Sequence, residues 1–337
     1  MQEPFYSYGI IGFGIAGQLV LLELLKSGIS PREICVCDEN FLGGALVTSY
    51  GSVLSNTPWW KTRKALSEYP SWSAEIIAEG DKKYAENECM PLRDIGRYCL
   101  DVGLRAGTNV EKLTTKVEHF VYRADKQSWV VNHSFGSFGC KYLCLAQGGT
   151  EKQLSIDKPQ IPLTIALDKY SLEKLVSAEK DTVAVFGLSH SGTICLQHLE
   201  DLGIRAIGIY NTETPFIFAR DGDPSGIKEA SEKIADSILA GSFKHLKLIS
   251  FNDTLELYKN LNKCTKIISC IGFKAREIGC MKLNYNSETA TVNAGPNCYG
   301  YGIAFPKLSD YKGKMYPDVS VLAFQEHIRN TLPLEKK

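Results

Sequence analysis

Tyr8-Gly-Ile-Ile-Gly12-Phe-Gly14-Ile-Ala-Gly17 is the stretch whose reading decides the fold. A short apolar run ends in three glycines spaced Gly-x-Gly-x-x-Gly, and the leucine-rich stretch Gln18–Lys26 follows. Gly12 permits a tight strand-to-helix turn, Gly14 lets a pyrophosphate approach the backbone, and Gly17 lets the helix pack close to the strand. The phosphates would rest on the N–H groups that a helix N-terminus leaves unpaired. The next apolar run, Glu33-Ile-Cys-Val-Cys-Asp38, ends in an acid 26 residues after Gly12. A carboxylate there can accept hydrogen bonds from the hydroxyls of a ribose, with Glu39 as the alternative acid. Ser27–Arg32 is a long helix–strand loop and accounts for the stretched spacing.

The same pattern recurs 175 residues later, in Thr182-Val-Ala-Val-Phe-Gly187-Leu-Ser189-His190-Ser191-Gly192. Serine replaces the middle glycine and brings a hydroxyl that can donate to a phosphate. His190 is read as a hydrogen-bonding or positioning residue at that turn in preference to a catalytic one. The following run, Arg205–Tyr210, leads to Asn211, where an acid would select the free 2′-hydroxyl of NADH. No acid stands there, so NADPH is expected over NADH, and Arg220 is a candidate counter-charge for its 2′-phosphate. Two copies of one turn in matching context point to a chain that holds two nucleotides.

After the first copy come Leu42-Gly43-Gly44-Ala45-Leu46 and then Asn56-Thr57-Pro58-Trp59. On these residues the chain resembles the flavin-dependent pyridine-nucleotide oxidoreductases, especially the short thioredoxin-reductase-like branch. The Ser189 turn is similar to that of flavin monooxygenases. The resemblance implies an α/β fold of two Rossmann-like domains binding FAD and NAD(P)H, the second inserted into the first. The first would comprise residues 1–160 and 273–337, and the second 161–272. It also implies that Gly43, Gly44 and Leu46 pass along the FAD and that Asn56 lies near the flavin. Trp59 or Trp60 then lies near the flavin ring, or both pack between the two domains.

Residues 116–146 read as three short strands with a turn at Asp125–Gln127, followed by Gln147-Gly148-Gly149. The family has a β-meander and an Ala-Thr-Gly return there, so Gly148 joins the expected FAD contacts. Lys266–Ile271 with Gly272 gives the matching return of the second domain. Pro317–Phe324 reads as the last strand of the FAD domain. The family's Gly-Asp at its end is replaced by Gln325-Glu326, with Gln325 expected to supply the hydrogen bond to FAD. Tyr299–Pro306 either closes over the flavin or packs as a loop.

Bulk properties exclude several classes. Thirty-eight basic and 38 acidic residues balance, which leaves no electrostatic footprint for nucleic acid. No apolar run is long enough to span a bilayer. The N-terminus lacks the pattern of a signal peptide, so a cytoplasmic protein is expected. Eleven cysteines, none as Cys-x-x-Cys, read as reduced thiols, and the six histidines show no metal-ligand spacing. Between 182 and 272 only Cys195, Cys264 and Cys270 occur, which argues against the redox dithiol of thioredoxin reductases. The Phe-x-Gly-x-x-x-His fingerprint of flavin-containing monooxygenases is also absent from Pro162–Ser171.

The expected function is an enzyme, an FAD-dependent NAD(P)H oxidoreductase passing hydride from nicotinamide to flavin and on to an acceptor. That acceptor is oxygen, as in a monooxygenase, a small molecule, or a small redox protein, and a homodimer is an allowed assembly. The alternative is a catalytically silent dinucleotide-binding redox sensor or interaction protein. No general acid–base catalyst and no metal site are assigned.

Overall fold

The computed structural model describes residues 3–279 and 281–334, so Met1 and Gln2 of the expected leaderless start lie outside it. The chain divides into two compact units. One contains residues 1–51, 57–150 and 275–337, the other 52–56 and 151–274.

The first unit begins with β1 (Phe5–Ile11), α1 (Ile15–Lys26) and β2 (Ile34–Asp38). Helices α2 (Trp59–Ser67), α3 (Pro70–Lys83) and α4 (Leu92–Ala106) lead to β3 (Glu111–Thr114). Three strands follow: β4 (Val117–Arg123), β5 (Ser128–His133) and β6 (Gly136–Leu145). Helix α1 is apolar on nearly every side, and Leu19, Leu21, Leu22 and Leu24 are all buried. A helix of that kind cannot lie at a surface, which sets it beneath the sheet with α4 beside it. Its one buried acid, Glu23, is matched by the Tyr69 hydroxyl, which donates at 2.7 Å, and by Arg329 at 3.1 Å. Leaving that carboxylate buried without partners would cost several kcal/mol.

The second unit carries β7 (Thr182–Phe186), α5 (His190–Asp201), β8 (Arg205–Tyr210), α6 (Ala230–Leu239), β9 (Leu246–Ser250), α7 (Thr254–Leu261) and β10 (Lys266–Ser269). Its four strands lie in the order β9-β8-β7-β10 and all run parallel. Alternation of strand and helix demands this arrangement, because a parallel neighbour needs a crossover rather than a hairpin.

The chain then returns to the first unit with β11 (Cys298–Gly300), the hairpin β12 (Leu308–Tyr311) and β13 (Lys314–Pro317), and α8 (Val321–Thr331). Strand β11 pairs in parallel with the end of β6, opposite Leu143 to Leu145. The first sheet therefore runs β3-β2-β1-β6-β11 in parallel, while β4 and β5 continue antiparallel from β6.

This corrects the expectation for Pro317–Phe324. That stretch holds no fifth parallel strand, and β11 fills the place. Ser320 caps α8 instead, its Oγ accepting the Ala323 N–H at 3.1 Å. Val321, Gln325 and Ile328 are buried at helical spacing. Among the described residues, no helix is long and apolar enough to cross a membrane, and no three His, Cys, Asp or Glu side chains are grouped to hold a metal.

Candidate functional site

Each unit places a glycine turn at the carboxyl end of its first strand, where the strand order reverses and ligands bind in open α/β sheets. The two turns have one geometry. Gly12 has φ +95° and Gly187 φ +87°, both in the region that favours glycine. A Cβ on Gly12 would meet the Ala146 carbonyl oxygen at 2.4 Å, and one on Gly187 the Cys270 oxygen at 2.5 Å. A Cβ on Gly17 would fall 2.0 Å from the Gly12 oxygen, and one on Gly192 1.9 Å from the Gly187 oxygen. These four glycines are required by the chain's own packing.

Gly14 is different. It is the N-cap of α1 with φ −71°, a conformation open to any residue. A Cβ there would meet only Gly44 Cα, at 3.8 Å. Ser189 occupies the equivalent N-cap of α5 with φ −79°, and its side chain makes no capping bond. Neither strain nor packing within the protein explains glycine at position 14. The first intrahelical bonds run from the Gln18 N–H to Gly14 O and from the Thr193 N–H to Ser189 O, both at 3.0 Å. The N–H groups of Ile15–Gly17 and of His190–Gly192 therefore head their helices, where the dipole favours an anion.

Other expected residues gather at the first turn. Gly44, with φ +70°, faces Gly14 closely enough that its own Cβ would sit 2.9 Å from Gly14 Cα. Gly43 is fixed by Val47, which a Cβ would approach to 2.8 Å. Leu46 packs against the core. Gly148 has φ +73° and open space around it, as does Gly272 beyond the second turn at φ +89°. Asp38 is tied into the turn itself: Oδ2 accepts the Phe13 N–H at 2.7 Å, and Oδ1 accepts those of Phe41 and Asn40 at 2.8 and 3.0 Å. The acid thus shapes the loop that would hold a ribose, a task invisible in its spacing. Sequence reading passed over Gln147, whose Cα lies 3.0 Å from the Gly12 Cβ position and whose buried Oε1 has no partner in the protein. Its polarity beside a glycine turn was the available signal.

Two of the expected contacts, Gln325 and Arg220, are committed to partners within the protein. Asn56 lies on the strand Leu54–Pro58, within the segment grouped with the second unit. Gln325 is buried in α8, and its Nε2 donates to Ala65 O at 2.7 Å and to the Tyr69 hydroxyl at 2.9 Å. Its amide is engaged in joining α8 to α2, because the residue falls in a helix and not at a strand end. Arg220 is committed to Asp236, through two bonds of 2.6 and 2.7 Å, and to Glu232, and its guanidinium lies 4.0 Å over the Phe218 ring. The Tyr299–Pro306 stretch packs: Tyr301 and Phe305 are fully buried, and Gly302 sits against Ala16 in the first turn of α1.

At the second turn Asn211 and Ser189 are exposed and Ser191 is half-buried. His190 is largely buried, its Nε2 has no partner in the protein, and burial, helped by Lys228, pushes its pKa down to about 4. The ring is neutral at pH 7 and would offer a hydrogen bond rather than a charge to any ligand at the turn. Because the folded value lies below the unfolded one near 6.5, the unfolded chain takes up the proton first as pH falls. The stabilisation is therefore complete above pH 6.5 and is lost as pH drops towards 4. We expect up to about 3 kcal/mol of stability to disappear across that window. His190→Gln should flatten the slope in denaturation series at pH 4 to 7, and an unchanged slope would assign the acid lability to other groups.

No protein-family model and no curated protein matches the chain. Among solved structures it is similar to the bacillithiol disulfide reductase Bdr (YpdA) of Staphylococcus aureus, at 12% identity and a TM-score of 0.63, over 97% of both chains. It is also similar to thioredoxin reductase of T. acidophilum, at 11% identity and a TM-score of 0.56, over 98% of this chain and 97% of that one. A third is DfoA, the FAD-bound cadaverine monooxygenase of Erwinia amylovora, at 12% identity and a TM-score of 0.57, over 89% and 88%. At such identities the likeness is one of fold: the chain shares the α/β fold of these proteins.

Proposed function

We propose that the protein is an FAD-dependent NAD(P)H oxidoreductase, with FAD at the first glycine turn and NADPH at the second. The observation that carries this reading is Gly14, a glycine that neither backbone strain nor internal packing requires, at the head of a helix and facing Gly44. The N–H groups of Ile15–Gly17 would hold the FAD pyrophosphate. Asp38 keeps the loop over the turn closed through its three backbone bonds and retains lone pairs for a ribose hydroxyl. The second turn supplies the corresponding N–H groups together with the Ser189 hydroxyl and the neutral His190 ring. When bound, FAD supplies the two-electron chemistry between nicotinamide and acceptor.

The acceptor is a small molecule, a disulfide or a small redox protein. Oxygen belongs to the same reading, given the monooxygenase of like fold. The purified protein, reconstituted with FAD, should show a flavin absorbance spectrum that NADPH bleaches without oxygen. A colourless protein that takes up no FAD refutes the proposal, and a flavin that NADPH leaves oxidised favours a silent sensor.

NADPH is the preferred reductant in this reading because Asn211, at the end of β8, presents no carboxylate to repel a 2′-phosphate. With Arg220 already bound to two acids, the preference should be modest, about tenfold in kcat/KM or roughly 1.4 kcal/mol. Steady-state reduction by each nucleotide measures it. An advantage for NADH would require a residue other than Asn211 that reads the 2′-hydroxyl.

A further inference from the structure

The second glycine turn is backed by two thiols. Cys195 lies on α5, one turn beyond Gly192, and is completely buried. Cys270 follows the last residue of β10, and its N–H donates to Phe186 O at 2.8 Å. The two sulfurs are 3.9 Å apart. The residues are 75 apart in sequence and form no motif, so only the fold brings them together. Among the described residues, Cys270 and Cys89 are the two cysteines that are not fully buried.

We propose that Cys195 and Cys270 form a peroxide-oxidisable dithiol whose closure ties α5 to the end of β10 and weakens dinucleotide binding at the turn between them. The second half of the proposal rests on reading that turn as a dinucleotide site. Peroxide reaches the partly exposed Cys270 first. Its thiolate attacks one peroxide oxygen, becoming a sulfenic acid, and the other oxygen leaves as water after taking a proton. The Cys195 sulfur then attacks the Cys270 sulfur, the S–O bond breaks, and a second water leaves with the Cys195 proton. Two thiols lose two electrons in all, and one peroxide gains them. Burial and the neighbouring Cys270 push the Cys195 thiol well up, so Cys195 stays protonated until it meets the Cys270 sulfenic acid, whose departing oxygen takes its proton.

A disulfide needs the sulfurs at about 2.05 Å, so the present 3.9 Å gap must shrink by about 1.9 Å. The close backbone approaches around the thiols tie α5, the turn and the end of β10 together. A Cβ on Gly187 would stand 2.5 Å from the Cys270 oxygen, and one on Gly192 would stand 1.9 Å from the Gly187 oxygen and 3.7 Å from Cys270 Cβ. Drawing α5 towards β10 therefore displaces the turn and the helix N–H groups that would grip a pyrophosphate.

The test uses the full chain with Cys89→Ala and with Cys280→Ala, since Cys280 lies outside the described residues, reduced and then treated with hydrogen peroxide. Peptide mass after alkylation reads the link, and titration with NADPH reads affinity before oxidation, after it, and after dithiothreitol. The expected result is a Cys195–Cys270 linked peptide lighter by two hydrogens and a rise in Kd of about tenfold or more, reversed by dithiothreitol. Cys195→Ala and Cys270→Ala should each abolish both changes. Absence of the linked peptide overturns the proposal, and so does a link without loss of affinity or an equal loss in the Cys195→Ala chain. If the reduced protein binds no dinucleotide, the reading of the turn fails and the control fails with it. The linked peptide then still decides whether the dithiol closes.

Discussion

Replacing Gly14 by valine is expected to leave the chain folded and to strip it of flavin. The backbone at 14 already has a conformation valine can adopt, and its Cβ would meet only Gly44 Cα, at an ordinary 3.8 Å. Stability of the flavin-free protein should therefore change by no more than about 1 kcal/mol. The isopropyl group would fill the space in front of the α1 N-terminus, so FAD affinity should fall by at least about 100-fold, near 2.7 kcal/mol.

Gly17→Ala is the matched control. Its Cβ would lie 2.0 Å from the Gly12 oxygen, and overpacking of backbone against backbone should cost about 3 kcal/mol before any ligand is considered. Urea denaturation of the flavin-free chains together with flavin absorbance separates the two effects. Full flavin occupancy in the Gly14→Val chain would place the cofactor elsewhere. Equal destabilisation by both substitutions would mean that glycine at 14 serves packing after all.

The second large effect is structural. Trp59→Ala should cost about 3–5 kcal/mol, the usual loss for a fully buried aromatic. The indole is 1% exposed, its Nε1 donates to Asp81 at 2.7 Å, and its ring centre lies 5.6 Å from that of Tyr98. Gly80 on α3 leaves room for the ring, since a Cβ there would stand 2.4 Å from the indole edge. Of the two sequence readings, flavin neighbour or contact between domains, neither describes this tryptophan, which belongs to the core of the first unit. Trp60 is half-buried beside the Lys61 ammonium, and Trp60→Ala should change stability by less than about 1 kcal/mol. Denaturation midpoints give the stability ranking. Brighter flavin emission in a still-folded Trp59→Ala chain would show that this indole quenches the flavin and that the core assignment is wrong.

The glycine turns were legible because their demands are local. Positive φ at Gly12 and Gly187 and the helix–strand approach at Gly17 and Gly192 concern residues a few positions apart, and such constraints leave a pattern in sequence. The strand content between 117 and 145 was legible through its alternation, although β6 begins at Gly136, five residues before the apolar run suggested. The C-terminal strand was misread. Pro317–Phe324 has the apolar content of a strand, but Ser320 at an N-cap and burial at Val321, Gln325 and Ile328 decide for a helix. The true fifth strand, Cys298–Gly300, is three residues long and has no periodicity to detect. Its identity depends on β6, more than 150 residues earlier.

By itself the sequence determined the α/β class, the two glycine turns and the lack of a net charge, because each rests on chain-local geometry or composition. Only the tertiary structure decided which polar groups are already engaged. Asp38 is bonded to the turn it was expected to serve, Gln325 to Ala65 and Tyr69, and Arg220 to Asp236 and Glu232. It likewise set Cys195 and Cys270 within 3.9 Å of each other. Hydrogen bonds, ion pairs and thiol contacts reach only a few ångströms, so partners distant in sequence become neighbours only when strands and helices pack. Spacing along the chain carries no record of them.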